Sequence, residues 1–200
     1  MHQLFSLFLA FAVALPLLAQ DEASPALLPQ FAVGDKAPVF AGIDQNGQRI
    51  ISKEMAMAGP LVVVFYRGVW CPYCKKHVSQ LNDELEALSA KNATVILITP
   101  EQPEYAKELL AKTKANFSVI TDSDYSIMKK FGVYFTINEN TVPRAYDYVL
   151  NHTRKSNGNK DDVLPIPATF VLDKKHVIRY MHFDADYRER SKVEDILNAL

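Results

Sequence analysis

The two cysteines of this chain stand three positions apart, in Cys71-Pro72-Tyr73-Cys74. They directly follow the apolar run Leu61-Val62-Val63-Val64-Phe65-Tyr66 and open a helical pattern. A strand that delivers two thiols to a helix N-terminus is an arrangement for redox chemistry. The helix terminus carries roughly half a positive charge, which favours thiolate over thiol. Cysteines in that setting have pKa values of about 3.5 to 7.5, against about 8.5 when free. Pro72 suits the first helical position, where its missing N–H would have had no partner. On this reading Cys71, at an exposed cap, is the attacking sulfur, and Cys74, one turn in, resolves the mixed disulfide.

Other uses of the pair are weaker. A structural disulfide across so short a loop constrains the unfolded chain little. Cys71, Cys74 and His77 are spaced like half of a zinc site, but a closed site needs four ligands and no second Cys/His cluster is present. A c-type haem would require His at position 75, which holds Lys75. Two inert buried cysteines remain a further alternative.

The elements that must hold the thiols follow from periodicity. Residues 61–66, bounded by Gly59-Pro60 and Gly68, read as a central buried strand. Over 72–90 the apolar Val78, Leu81, Leu85 and Leu88 share one helical face. A short strand at 49–52 follows the Asn46-Gly47 turn. Buried strands at 94–98 and 117–120 flank a helix over 100–114. Asp122 or Ser123 caps a short helix that runs to Lys130 and ends at Gly132. Strands at 168–172 and 176–181 are joined by a turn at 173–175, and Ser191 opens a last helix. The order β-α-β-α-β-α-β-β-α predicts an α/β fold, a central mixed β-sheet flanked by helices on both faces. Residues 134–165 fit this order badly and read as an insertion without assigned elements.

With 200 residues, 48% of them hydrophobic, the chain is globular, and a net charge of -1 gives no basic bias toward nucleic acid. Residues 4–15 are apolar, Pro16 breaks the run, and Ala19-Gln20 precede acidic Asp21-Glu22. This reads as a secretory signal over 1–20, then a linker over 21–30 and one domain over 31–200. The expectation is an exported protein, periplasmic or secreted, with no stable membrane association after cleavage. In an oxidising space a reduced dithiol persists only with a supply of electrons.

Cys71-Pro72-Tyr73-Cys74 together with Ile166-Pro167-Ala168-Thr169-Phe170 resembles the thioredoxin-fold superfamily, in which a cis proline precedes a strand and faces the redox disulfide. Pro167 matches that position. More closely, residues 65–74, 165–173, the opening 33–40 and the tail Asp184-Ala185-Asp186-Tyr187-Arg188-Glu189-Arg190 resemble the peroxiredoxin-like branch of the AhpC/TSA redoxins. The resemblance spans roughly 31–200 and implies a thioredoxin-like fold. It also implies a redox-active disulfide with no other cofactor and a thioredoxin-like dithiol as reductant.

The departures from that pattern matter. Peroxiredoxins carry Pro-x-x-x-Thr-x-x-Cys. Aligned on Cys71, the Thr position holds Gly68, the Pro position Val64, and the family's second-site arginine falls on Pro167. That cation stabilises the thiolate and the charge on the leaving oxygen. Arg67 is either its replacement or a solvated strand-end residue; Arg144 is a second candidate. Trp70 shields the disulfide or packs the core. Lys75, Lys76 and His77 could lower the thiol pKa, Asp161-Asp162 offers a loop site for a cation, and the acidic and aromatic residues of the tail suggest no chemistry. The resemblance implies a thiol peroxidase acting on hydrogen peroxide or organic hydroperoxides through Cys71 and a Cys71–Cys74 disulfide. The alternatives are an exported oxidoreductase acting on protein disulfides and a non-enzymatic binding or metal-storage domain.

Overall fold

The computed structural model describes residues 28–142, 145–158 and 161–200. The expected signal, most of the linker and Arg144 lie outside these residues. The central sheet has five strands. They are β3 (Leu61–Phe65), β4 (Thr94–Thr99), β5 (Ser118–Thr121), β8 (Ala168–Leu172) and β9 (Ile178–Phe183). Across the sheet they stand in the order β5-β4-β3-β8-β9. β3 pairs parallel with β4, and β4 with β5; β8 runs antiparallel to both β3 and β9. The sheet is therefore mixed, with β3 at its centre.

Alternation along β3 explains why it is buried on both sides. Leu61, Val63 and Phe65 enter one core, while Val62, Val64 and the following Tyr66 enter the other. None of the five strand residues is more than 1% exposed. Each such side chain contributes about 1.5–3 kcal/mol on burial, so the strand feeding the thiol loop is among the best anchored parts of the molecule. On the Val62 face pack α2 (Pro72–Asp83), α3 (Leu85–Ala90), α4 (Pro103–Thr113) and α7 (Val193–Asn198). On the Val63 face pack α1 (Ser52–Ala58) and α5 (Ser126–Lys130). A hairpin, β1 (Ala41–Ile43) with β2 (Arg49–Ile51), bridges to β5 through Asp44 and Ile120.

Three local expectations needed revision. The helix read over 72–90 breaks at Glu84, whose backbone (φ -102, ψ 18) leaves the helical region. The break turns Leu85 outward, 39% exposed, while Leu88 stays fully buried. α1 begins at Ser52, which reads as the end of a strand because only Met55 and Ala56 mark its inner face. The insertion is structured: β6 (Tyr134–Thr136) pairs antiparallel with β7 (Val163–Pro165), and α6 (Tyr146–Asn157) lies between them. Ile137, Val149 and Leu164 form a small third core, against which Trp70 packs. α6 is amphipathic but mostly polar, and only Val149 and Leu150 among its buried residues are aliphatic, too few to stand out in the sequence. Among the described residues no helix is long and apolar enough to cross a membrane.

Candidate active site

β3 runs through Tyr66 into a loop that ends at the first turn of α2. Cys71 is the N-cap residue, extended at φ -82 and ψ 115, and Pro72 occupies the first helical turn. The Cys71 N–H donates to the Gly68 carbonyl (3.0 Å), and the Cys71 carbonyl accepts from the Lys75 N–H (3.2 Å). The thiols thus sit where local sequence placed them. The expected exposure is wrong: each cysteine is 1% exposed, and both are free. A helix terminus is open only if nothing distant covers it, and here the C-terminal tail does.

Arg67 is the first buried cation of the site. It is 2% exposed, so it is no solvated strand end. Its guanidinium carbon lies 5.0 Å from the centroid of the Trp70 ring and 4.4 Å from that of Tyr187. Such faces hold a cation without neutralising it. Among the described residues, Arg67 Nε and Nη2 have no hydrogen-bond partner. Burial pulls the guanidinium below its ordinary pKa, and the negative charge available on Cys71 and Cys74 pushes it back.

The tail supplies the second cation. Asp184 Oδ1 accepts from the Asp186 N–H (2.8 Å), and Asp186 Oδ1 from the Arg188 N–H (3.0 Å). These side-chain-to-backbone turns fold the segment. Ser191 then ties it down: its Oγ donates to Thr169 Oγ1 (2.9 Å) and is hydrogen-bonded to His77 Nε2 (3.0 Å). Between these anchors Tyr187 meets Tyr73 edge-on, with ring centroids 5.6 Å apart, and Arg190 Nη2 donates to Cys74 Sγ (3.5 Å). The residues that suggested no chemistry in the sequence are the scaffold that carries Tyr187 and Arg190 to the thiols.

The two thiols differ sharply. Burial opposes a charge on Cys74, but the Cys71 thiol, Arg190 and the Arg67 backbone amide outweigh it and bring its pKa down to about 5. Cys71 is pushed up, first by its hydrogen bond to Cys74 and then by burial. His77 contributes no charge at neutral pH. Burial first, then Arg190 and His182, depress it to about 3, so it is a neutral hydrogen-bonding partner of the tail.

Glu101, beyond the end of β4, fixes the loop from below. It is fully buried, and both carboxylate oxygens accept from the Val69 N–H (3.0 and 2.9 Å). Burial raises its pKa to about 8 against those hydrogen bonds. Gly68 lies between this carboxyl and the indole. A Cβ there would fall 2.6 Å from Glu101 Oε1 and closer still to Trp70 Nε1. No side chain fits, so Gly68→Thr, which writes the family's hydroxyl into the sequence, overpacks the loop. We expect a loss of about 1–3 kcal/mol in urea unfolding and no gain in thiol reactivity. A faster-reacting Gly68→Thr protein would contradict this.

Trp70 packs as a core residue. Its ring packs on the thiol-side core and on α6, with Tyr148 and His152 centroids at 6.1 and 5.8 Å. The register Phe65↔Ala168 brings Pro167 to the end of the sheet where the thiol loop starts. Its match to the superfamily is one of place and not of geometry, since no peptide bond among the described residues is cis. Here Ile166, whose N–H donates to the Val133 carbonyl (2.7 Å), and Pro167 alone link β7 to β8. Asp162 is paired with Arg154 (2.6 Å) and Asp161 accepts from Tyr125 Oη (3.2 Å), so this pair forms loop contacts and not a cation site. Arg190 is the residue beside the thiols that sequence reasoning missed. It stands 116 positions from Cys74, and its only signal was its place in a tail that matched the family.

Comparison with known proteins bears on the family and the fold. The model of the AhpC/TSA family matches residues 33–181. A putative peroxiredoxin, Bcp, of Haemophilus influenzae is 25% identical over 116 residues, 58% of this chain and 73% of that protein. Peroxiredoxin Bcp of Escherichia coli is 28% identical over 101 residues, 50% of this chain and 64% of that protein. The crystal structure of peroxidoxin BcpB from Mycobacterium tuberculosis superposes with a TM-score of 0.64 at 17% identity, covering 84% of this chain and 94% of the other. The shared architecture is the thioredoxin-like fold.

Proposed function

As the chain belongs to the AhpC/TSA family, we propose that it is a thiol-dependent peroxidase that reduces hydrogen peroxide or organic hydroperoxides through the Cys71–Cys74 pair. The observation that carries this reading is the buried guanidinium of Arg67, held on two aromatic faces with Nε and Nη2 unpartnered beside two buried thiols. A thiolate attacking the O–O bond becomes sulfenic acid and expels a charged oxygen. Donors fixed in advance at that oxygen stabilise the transition state most where water is excluded. Arg67 provides them and replaces the family's second-site arginine, which falls on Pro167. The second thiol then condenses with the sulfenic acid, water leaves, and a thioredoxin-like dithiol reduces the disulfide.

Burial weighs against a protein disulfide as substrate. Two sulfurs at 1% exposure in the reduced protein favour a peroxide of a few atoms, whereas exchange with another chain, the reductant of the oxidised pair included, needs the covering tail displaced first. The peroxiredoxin names of the relatives support the same choice. The apolar stretch over 4–15, with Pro16 and Ala19 behind it, supports export to a periplasmic or extracellular space.

The test is stopped-flow mixing of the reduced protein with stoichiometric hydrogen peroxide, following the single tryptophan, Trp70. The expected result is a rate far above that of free cysteine, abolished when both cysteines are serine. A rate like that of free cysteine would refute the peroxidase.

A further inference from the structure

We propose that Cys74 is the sulfur that attacks the peroxide, that Arg190 is the cation holding its thiolate, and that Cys71 is the proton donor and then the resolving thiol. The proposal rests on the peroxidase reading and reverses the roles that the helix terminus alone assigns.

Two buried sulfurs one turn apart cannot both ionise without a large repulsion, so the pair keeps one proton. Which sulfur is charged depends on what touches it. Cys74 accepts from Arg190 Nη2 at 3.5 Å. Arg190 is aimed by its other nitrogen, Nη1, which donates to the Glu189 carbonyl at 2.6 Å. It is also aimed by Ser191, locked into Thr169 and His77. Among the described residues no guanidinium hydrogen-bonds Cys71. Arg67 acts on Cys71 through charge, and among the described residues its Nε and Nη2 have no partner and so remain for the leaving oxygen. His77, on the same helix face as Cys74, is neutral, so Arg190 is the charge that Cys74 feels from that side. The opposite shifts of the two thiols agree with this polarity.

The reaction balances with the groups present. Cys74 S⁻ attacks the terminal oxygen of ROOH; the S–O bond forms, the O–O bond breaks, and RO⁻ leaves. The Cys71 thiol gives its proton to RO⁻, producing ROH and a Cys71 thiolate. That thiolate attacks Cys74 S–OH; the S–S bond forms and hydroxide departs, taking a proton from solvent to become water. Two sulfurs are oxidised by two electrons in total, and the peroxide is reduced by two.

Single-cysteine variants decide the polarity. Cys71→Ser keeps a hydroxyl donor at the cap. It is expected to react with hydrogen peroxide much faster than free cysteine and to stop as a sulfenic acid, trapped with dimedone and located on Cys74 by mass spectrometry. Cys74→Ser is expected to react no faster than free cysteine. Adding Arg190→Met to Cys71→Ser should slow the reaction about a hundredfold, with partial recovery in Arg190→Lys; circular dichroism checks that each variant is folded. A fast Cys74→Ser protein with the sulfenic acid on Cys71 would overturn the proposal.

A slow wild-type protein would refute the peroxidase separately. Polarity is then read from the ultraviolet absorbance of thiolate below the free-cysteine pKa of about 8.5. Thiolate in Cys71→Ser that is lost with Arg190→Met supports the assignment. Thiolate confined to Cys74→Ser overturns it.

Discussion

Arg67→Met slows peroxide reduction by about a hundred- to a thousandfold and leaves the reduced protein as stable as before or more stable. The two halves of this result come from one fact: among the described residues, the buried guanidinium has no carboxylate partner. Taking an ion out of water costs several kcal/mol. The faces of Trp70 and Tyr187 return about 0.5–2 kcal/mol each, and the thiolate returns part of the rest. Methionine has a similar length and needs none of this compensation. A structural arginine would show the reverse, with stability lost and reactivity kept. Stopped flow and thermal melting of the reduced proteins measure both halves. An Arg67→Met protein that reacted at the wild-type rate would remove Arg67 from the mechanism. Arg67→Lys, which keeps the charge but loses the planar fork, should fall between the two.

Glu101→Gln makes stability rise with pH between about pH 6.5 and about pH 8, where the wild-type protein is nearly flat. Glu101 ionises near 4.5 when unfolded and at about 8 when folded. Its contribution is complete below 4.5 and is lost as pH climbs toward 8, because the unfolded chain has already released the proton. Cys74 ionises near 9 when unfolded and at about 5 when folded. Its contribution is complete above 9 and is lost as pH falls toward 5. Over the shared window each slope is about 1.4 kcal/mol per pH unit, and they oppose. His77, neutral in the folded protein and half protonated at pH 6.5 when unfolded, adds a small rising slope that fades by about pH 7.5 and is common to all three proteins. Removing Glu101 leaves the rising slope; Cys74→Ser leaves the falling one. Urea unfolding of the three reduced proteins across the window reads both. A Glu101→Gln curve parallel to wild type would show that this carboxyl is ionised throughout.

What could be read from the chain divides by distance along it. The thiol pair, Pro72 at the start of α2, and the strands that sandwich β3 are written in runs of a few residues, and those runs gave the sheet and its layers. Arg67 and Trp70 were within reach because they stand beside the cysteines. Their burial was not, because a strand end looks the same whether or not another segment lies on it. The covering comes from 184–191, more than a hundred residues downstream, where Asp184, Asp186 and Ser191 serve only to shape and fasten the chain. Arg190 could not be assigned without that fastening. α6 escaped for another reason: it covers Trp70 with Tyr148 and His152, and its buried face is largely polar, with Thr153, Ser156 and Asn157 beside Val149 and Leu150.

The spacing of the sulfurs also sets the fate of the oxidised site. Cys71 caps α2 and Cys74 lies in its first turn, so the partner thiol is in place before any peroxide arrives. Ring closure is then a first-order event, and groups so oriented behave as if present at about 10⁵ M or more. A second peroxide molecule, at cellular dilution, must collide with the same sulfenic acid before it closes. That contest is lopsided. Irreversible over-oxidation to the sulfinic acid should be rare in this protein, and an excess of oxidant should leave a disulfide that its reductant can still rescue.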